Sequence, residues 1–98
     1  MYGTVARLQL KPGAEKKLME ISQSESGLKI PGYIAQYVYR MDNDPHEYYL
    51  VVMFESRESY FANADSPAQD ARYREFRDLL ESDPERHDGE IVFADRQS

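Results

Sequence analysis

The sequence predicts an α+β fold: a four-stranded antiparallel sheet with helical segments on one face. Three observations carry that reading. Alternating stretches fall at the start of the chain and in its middle, and unbroken apolar runs follow at residues 48–54 and 91–94; period-2 alternation and short apolar runs bounded by turn signals both mark strands. Segments with apolar residues spaced by three and four lie between them, as amphipathic helices require. The two middle strands are separated by Asp42-Asn43-Asp44-Pro45, turn chemistry that makes them a hairpin.

In chain order, Tyr2 to Leu10 alternates and reads as the first strand. Lys11-Pro12-Gly13 is a turn whose Pro suits the start of a helix. Ala14, Leu18 and Ile21, with Met19 beside them, then recur at helical spacing to about Glu25. Gly27 and Pro31-Gly32 end that helix. The second strand runs from Tyr33 to Met41, with Tyr33, Ala35, Tyr37, Tyr39 and Met41 alternating against Ile34, Gln36, Val38 and Arg40.

The third strand, Glu47 to Glu55, contains the unbroken apolar run Tyr48-Tyr49-Leu50-Val51-Val52-Met53-Phe54. Successive strand side chains point to opposite faces, so both faces of this strand call for burial. Ser56 caps a short helix through Tyr60, Phe61 and Asn63. Ser66-Pro67-Ala68-Gln69 starts a longer one: Ser as N-cap, Pro at the first position, Gln completing a capping box. Its stripe is Gln69, Arg72, Tyr73, Phe76, Leu79 and Leu80, and Asp83-Pro84 stops it. Ile91-Val92-Phe93-Ala94 is the expected fourth strand, and the polar Asp95 to Ser98 end is expected to fray.

The order β-α-β-β-α-β, with the second helical segment in two pieces, is a ferredoxin-like split βαβ arrangement. Right-handed crossovers put both helical segments on the same face of the sheet. The other face is left bare, and an apolar patch of that size is unusual on a monomer. Two sheets packed face to face remove it, and a two-fold homodimer is the simplest solution.

Ninety-eight residues are the length of a single domain, here residues 1–98. The absence of cysteine excludes disulfides, thiolate catalysis and Cys-based zinc sites. Residues 1–49 hold six basic and six acidic side chains, and residues 50–98 hold six and twelve, so the net charge of −6 arises wholly in the second half. That balance repels phosphate backbones and argues against nucleic acid as a partner. No run resembles a signal h-region or a membrane span, so a cytoplasmic protein with no membrane partner is expected.

Several segments together resemble a known family. They are Arg7-Leu8-Gln9-Leu10-Lys11-Pro12-Gly13 entering the first helix and Pro31-Gly32-Tyr33 opening the second strand. Phe54-Glu55-Ser56-Arg57-Glu58 closes the third strand, and Ser66-Pro67-Ala68 is followed by Tyr73 and Phe76. Over roughly residues 2–94 the chain resembles the dimeric α+β-barrel superfamily that includes the antibiotic biosynthesis monooxygenases. The resemblance implies a ligand pocket between helices and sheet, and pairing through the other sheet face. Members include cofactor-independent oxygenases of polyketide aromatics or quinols, and haem-degrading enzymes. The haem-degrading pattern uses an Asn on the first strand, a Trp on the short helix and an axial His on the long one. Those positions hold Ala6, Asn63 and Tyr73, and the chain has no Trp. The oxygenase branch, which needs no cofactor or metal, therefore gives the expectation: deprotonation of a phenol or quinol whose electron-rich anion reacts with oxygen.

That chemistry needs a proton acceptor, donors for the oxyanion and a dry aromatic pocket. Eight Tyr and four Phe are available for the lining. Tyr33, Asn63, Arg72, Tyr73 and Phe76 are the expected substrate-binding residues, with Asn63, Arg72 and Tyr73 the catalytic candidates. The bland alternatives are a core tyrosine at 73, a snorkelling Arg72 and a helix C-cap at Asn63. His46 and His87 read as exposed loop residues. Arg7, Gln36 and Arg40 read as polar contacts at a strand edge or dimer face, and Asp42, Asn43 and Asp44 lack calcium-loop spacing. Two further readings stand beside the enzyme: a non-catalytic dimer that binds a small apolar ligand, and a structural dimer whose pocket Tyr33, Tyr73 and Phe76 fill themselves.

Overall fold

The apolar run of the third strand ends up at the centre of the molecule. A computed structural model describes residues 1–97, with the side chain of Ser26 outside the description. The elements are β1 (Tyr2–Gln9), α1 (Glu15–Ser26), β2 (Tyr33–Arg40), β3 (Glu47–Phe54), α2 (Arg57–Ala64), α3 (Pro67–Arg77) and β4 (Glu85–Glu90). They form one antiparallel sheet in the order β2-β3-β1-β4, the ferredoxin-like α+β arrangement. β3 and β1 are therefore interior, and β2 and β4 are edges.

Tyr48, Leu50, Val52 and Phe54 face the helices. Tyr48 and Phe54 are each 2 % exposed. Two small cores form on this side. Ala6, Leu8, Leu10 and Tyr48 pack with Leu18 of α1 and with Leu80. Tyr2, Phe54 and Tyr60 pack with Tyr33, Val52 and Phe61. Aromatic edges meet faces in the second core, with Tyr33–Phe54 centroids at 5.7 Å and Phe54–Tyr60 at 5.6 Å. The opposite sheet face carries no helix. Val5, Tyr37 and Tyr39 are about half exposed there, with Tyr49, Val51 and Met53 between them.

β2 departs from plain alternation. Tyr33 pairs with Phe54, and Ala35 pairs with Met53, so Ile34 is an extra residue in the ladder. Such a bulge shifts the side-chain alternation by one. Tyr33 consequently lies on the helix side with Phe54, whereas Ala35, Tyr37 and Tyr39 lie on the open side. Plain alternation in the sequence puts Tyr33 on the same face as Tyr37 and Tyr39, and the bulge reverses that placement.

The helix starts follow their caps. Ser56 Oγ accepts from the Ser59 amide at 3.1 Å, and Ser59 Oγ accepts from the Ser56 amide at 3.2 Å, a complete capping box. Ser66 Oγ accepts from the Gln69 amide at 3.1 Å, and Pro67 opens α3 as expected. The reciprocal arm is missing there, because the Gln69 side chain is bonded to Arg72 instead. Pro12 lies in the turn before α1 and not in its first turn, since the helix begins at Glu15.

Two boundaries differ more. α3 ends at Arg77, and Leu79 and Leu80 reach the core through a tight turn. The Leu79 amide donates to Phe76 and the Leu80 amide to Arg77, after which Lys11 and Glu81 exchange backbone bonds with Leu79 and Gln9. The fourth strand is Glu85–Glu90 and not Ile91–Ala94. Val92 and Phe93 are 92 % and 81 % exposed and lie beyond it. An edge strand needs a backbone ladder and no apolar face, so Glu85-Arg86-His87-Asp88-Gly89-Glu90 pairs along β1 despite its polarity. The expected fraying at the C-terminus includes Ser98, which lies outside the described residues. Among the described residues, no helix is long and apolar enough to cross a membrane.

Candidate functional site

Between the two cores the helices stand off the sheet and leave a cavity of about 310 Å³ that is partly open to solvent. That is within the usual range for small-molecule sites. Its floor is Thr4, Ala6 and Leu8 of β1, Gln36 and Val38 of β2, and Leu50, Val52 and Phe54 of β3. α1 contributes Leu18, Ile21 and Glu25. Tyr60 and Asn63 come from α2, Arg72, Tyr73 and Phe76 from α3, and Arg86 from β4. Tyr33 closes one side, placed there by the Ile34 bulge.

All five expected substrate-binding residues, Tyr33, Asn63, Arg72, Tyr73 and Phe76, thus line one cavity. Asn63 is within α2, whose C-cap is Asp65, so the capping alternative for Asn63 does not hold. Tyr33, Tyr73 and Phe76 form walls and leave the space open, against the filled-pocket reading. Gln36 lies on the cavity floor, and Arg40 reaches Glu15 at 2.8 Å. Arg7 faces the bare side of the sheet and pairs with Glu47. His46 and His87 are exposed and outside the cavity, His46 in the hairpin turn and His87 on β4 itself.

Three cavity groups escaped the sequence reading. Arg86 was hidden by the misplaced fourth strand. Its Nη2 donates to the Tyr60 hydroxyl at 2.9 Å, and that hydroxyl donates to Asp88 Oδ1 at 3.0 Å. Burial raises the Tyr60 pKa; Arg86 opposes the shift and Asp88 reinforces it, so this phenol stays protonated. Burial works against the charge on Arg86, but Tyr60, Asp88 and the nearby Tyr73 outweigh it and hold the guanidinium firmly protonated. Tyr60 and Glu25 were legible in principle. Tyr60 is three residues before Asn63, and Glu25 is four after Ile21, so each continues an inward stripe past the residues that define it.

Arg72 is oriented by its own helix. Nε and Nη2 donate to Gln69 Oε1 at 3.1 and 2.9 Å. Its charge meets no carboxylate in an ion pair among the described residues. A cation held by a neutral acceptor, against an aromatic cavity, is suited to bind an anionic oxygen. No group of three or more His, Cys, Asp or Glu that could hold a metal occurs among the described residues.

The sequence matches the family model for antibiotic biosynthesis monooxygenases over residues 1–82. The chain belongs to the antibiotic biosynthesis monooxygenase family. Solved structures agree in fold. SnoaB, a cofactor-independent oxygenase from Streptomyces nogalater solved as a point variant, superposes with a TM-score of 0.77 at 15 % identity, covering 99 % of this chain and 94 % of its own. A conserved protein from Methanosarcina mazei Go1 gives 0.77 at 21 % identity, covering 90 % and 89 %. A protein of unknown function from Nitrosomonas europaea gives 0.76 at 21 %, covering 99 % and 94 %. At these identities the likeness extends to the fold alone. No curated protein matches the sequence.

Proposed function

We propose that this family member is a cofactor-independent oxygenase of small aromatic phenols or quinols, working as a cytoplasmic homodimer paired through the open sheet face. The observation that carries the reading is Arg72, a guanidinium without an ion-pair partner among the described residues, lining an aromatic cavity of about 310 Å³. Asn63 and Tyr73 stand on neighbouring helices of the same cavity. In this reading the aromatic walls hold the ring of the substrate. Asn63 and Tyr73 hydrogen-bond its oxygens, and Arg72 stabilises the oxyanion from which oxygen takes electrons. SnoaB, a cofactor-independent oxygenase, shares the fold and supports the reading by analogy.

The test is oxygen uptake by the cofactor-free protein with a panel of quinols and anthrones. Turnover is expected, falling by roughly 10²-fold or more in Arg72→Met and in the Tyr73→Phe, Asn63→Ala double variant, the scale of a lost oxyanion donor. A rate no higher than that double variant's sinks the proposal. The competing reading, a dimer that binds an apolar ligand without turnover, is favoured by the absence of both histidines from the cavity lining. Ligand-dependent melting shifts with no product would select it.

A further inference from the structure

Two carboxylates border the cavity, Glu25 and Asp70. Asp70 is paired with Arg74 at 3.0 Å. Glu25 is half-buried and, among the described residues, its carboxylate forms neither an ion pair nor a side-chain hydrogen bond. It nonetheless shares the cavity with Arg72, near enough for each charge to act on the other. A carboxylate and a guanidinium often close into a bidentate pair. Here Arg72 Nε and Nη2 both donate to Gln69 Oε1, and no Arg72–Glu25 ion pair forms among the described residues. Arg72 thus brings a donor to the cavity from α3, and Glu25 an acceptor from α1. A hydroxyl is the group that satisfies both, because its oxygen accepts while its hydrogen donates.

We propose that Glu25 is the proton acceptor of this site, taking the phenolic proton of a hydroxylated aromatic whose oxygen is held by Arg72. The assignment rests on the aromatic-substrate reading above. The substrate O–H bond breaks, the proton passes to a Glu25 carboxylate oxygen, and the electron pair stays on the phenol oxygen beside Arg72. Three charged or titratable groups interact electrostatically with Glu25: Tyr33 on β2, and Arg72 and Glu75 on α3. Burial raises the Glu25 pKa, Arg72 partly counters it and Glu75 adds to it, which makes Glu25 a stronger base than an ordinary carboxylate. Burial and the Glu25 charge raise the Tyr33 pKa as well, so Tyr33 stays protonated and does not compete as a base.

The probe is para-nitrophenol, whose anion is coloured, titrated into the full-length protein below the free phenol's pKa. Absorbance and proton exchange with the buffer are recorded together. The wild type is expected to bind the probe as phenolate with no proton released. In Glu25→Gln the bound phenolate band falls at least tenfold, or persists only with one proton released per probe bound; Glu25→Asp restores it in part. With a turnover substrate, Glu25→Gln lowers kcat roughly 10²- to 10⁴-fold, the range of general-base catalysis, with KM within about threefold. A Glu25→Gln protein with the wild-type band and proton count overturns the proposal. So does a wild type that binds only the neutral phenol, or does not bind. Oxygen uptake separates the two ideas: proton transfer to Glu25 without uptake sinks only the oxygenase reading, and uptake unchanged in Glu25→Gln sinks only the Glu25 assignment.

Discussion

Tyr60 joins an aromatic cluster to a charged edge. Its ring is 6 % exposed and packs on Tyr2 and Phe54, while its hydroxyl bridges Arg86 and Asp88. Tyr60→Phe keeps the ring and removes the bridge. The Arg86 and Asp88 side chains are 45 % and 27 % exposed, so water replaces part of the lost bonding. The expected cost is about 1–2 kcal/mol, read as a lower urea midpoint at unchanged m. Glu25 gives a pH signature. Its carboxyl is raised in the folded state, mainly by burial, so the fold holds that proton more tightly than the unfolded chain does. Stability from this group is complete at acid pH and is lost as pH climbs from the ordinary carboxylate range through the raised value. Glu25→Gln is therefore expected to raise Tm at pH 7 and to leave it nearly unchanged at pH 4; equal shifts at both would refute the burial argument. At this scale Arg72, Tyr73 and Phe76 were legible as cavity residues because they share one helical stripe, and Asn63 through the family resemblance. Alternation alone sends Tyr33 to the open face with Tyr37 and Tyr39, and only the bulge brings it to the cavity. Arg86 was not legible, because a polar residue on an edge strand carries no periodic signal.

The two caps offer a comparison between elements. Ser56 serves a reciprocal box with Ser59, whereas Ser66 makes one bond and loses its second arm to Arg72. Ser66→Ala is expected to cost about 1 kcal/mol and Ser56→Ala toward about 2 kcal/mol. Chemical denaturation of the two variants checks the order. That lost arm also explains why a motif read from sequence can be right about where a helix starts and wrong about what its third residue does. Gln69 had a nearer, charged donor. The misplacement of the fourth strand has a similar origin. Ile91-Val92-Phe93 carries strand propensity, but residues 85–90 have the backbone register with β1, and register decides pairing.

For the whole molecule, the sheet has two faces with different fates. Helices cover one; the other leaves Val5, Tyr37, Tyr39, Val51 and Met53 without cover in the single chain. Association through that face predicts a dimer by sedimentation at micromolar concentration, and Val51→Glu, which puts a charge at its centre, is expected to yield monomer. A wild-type monomer would refute the pairing. Most of the architecture was readable because the two apolar faces of β3, the hairpin turn and the helix starts all agree. The family resemblance placed a pocket between helices and sheet, but whether it is open or filled was not readable, because its volume depends on how far three helices stand from the sheet and no local pattern encodes that distance.

The bulge at Ile34 acts as slack in the chain. Deleting Ile34 would leave Tyr33 next to Ala35 in a plain ladder, still opposite Phe54 and still on the helix side. One residue of length between Gly32 and Ala35 can thus be lost without moving the tyrosine wall of the cavity. Beyond Ala35 there is no such slack: a one-residue slip there would turn Gln36 and Val38 away from the ligand and present Tyr37 and Tyr39 in their place.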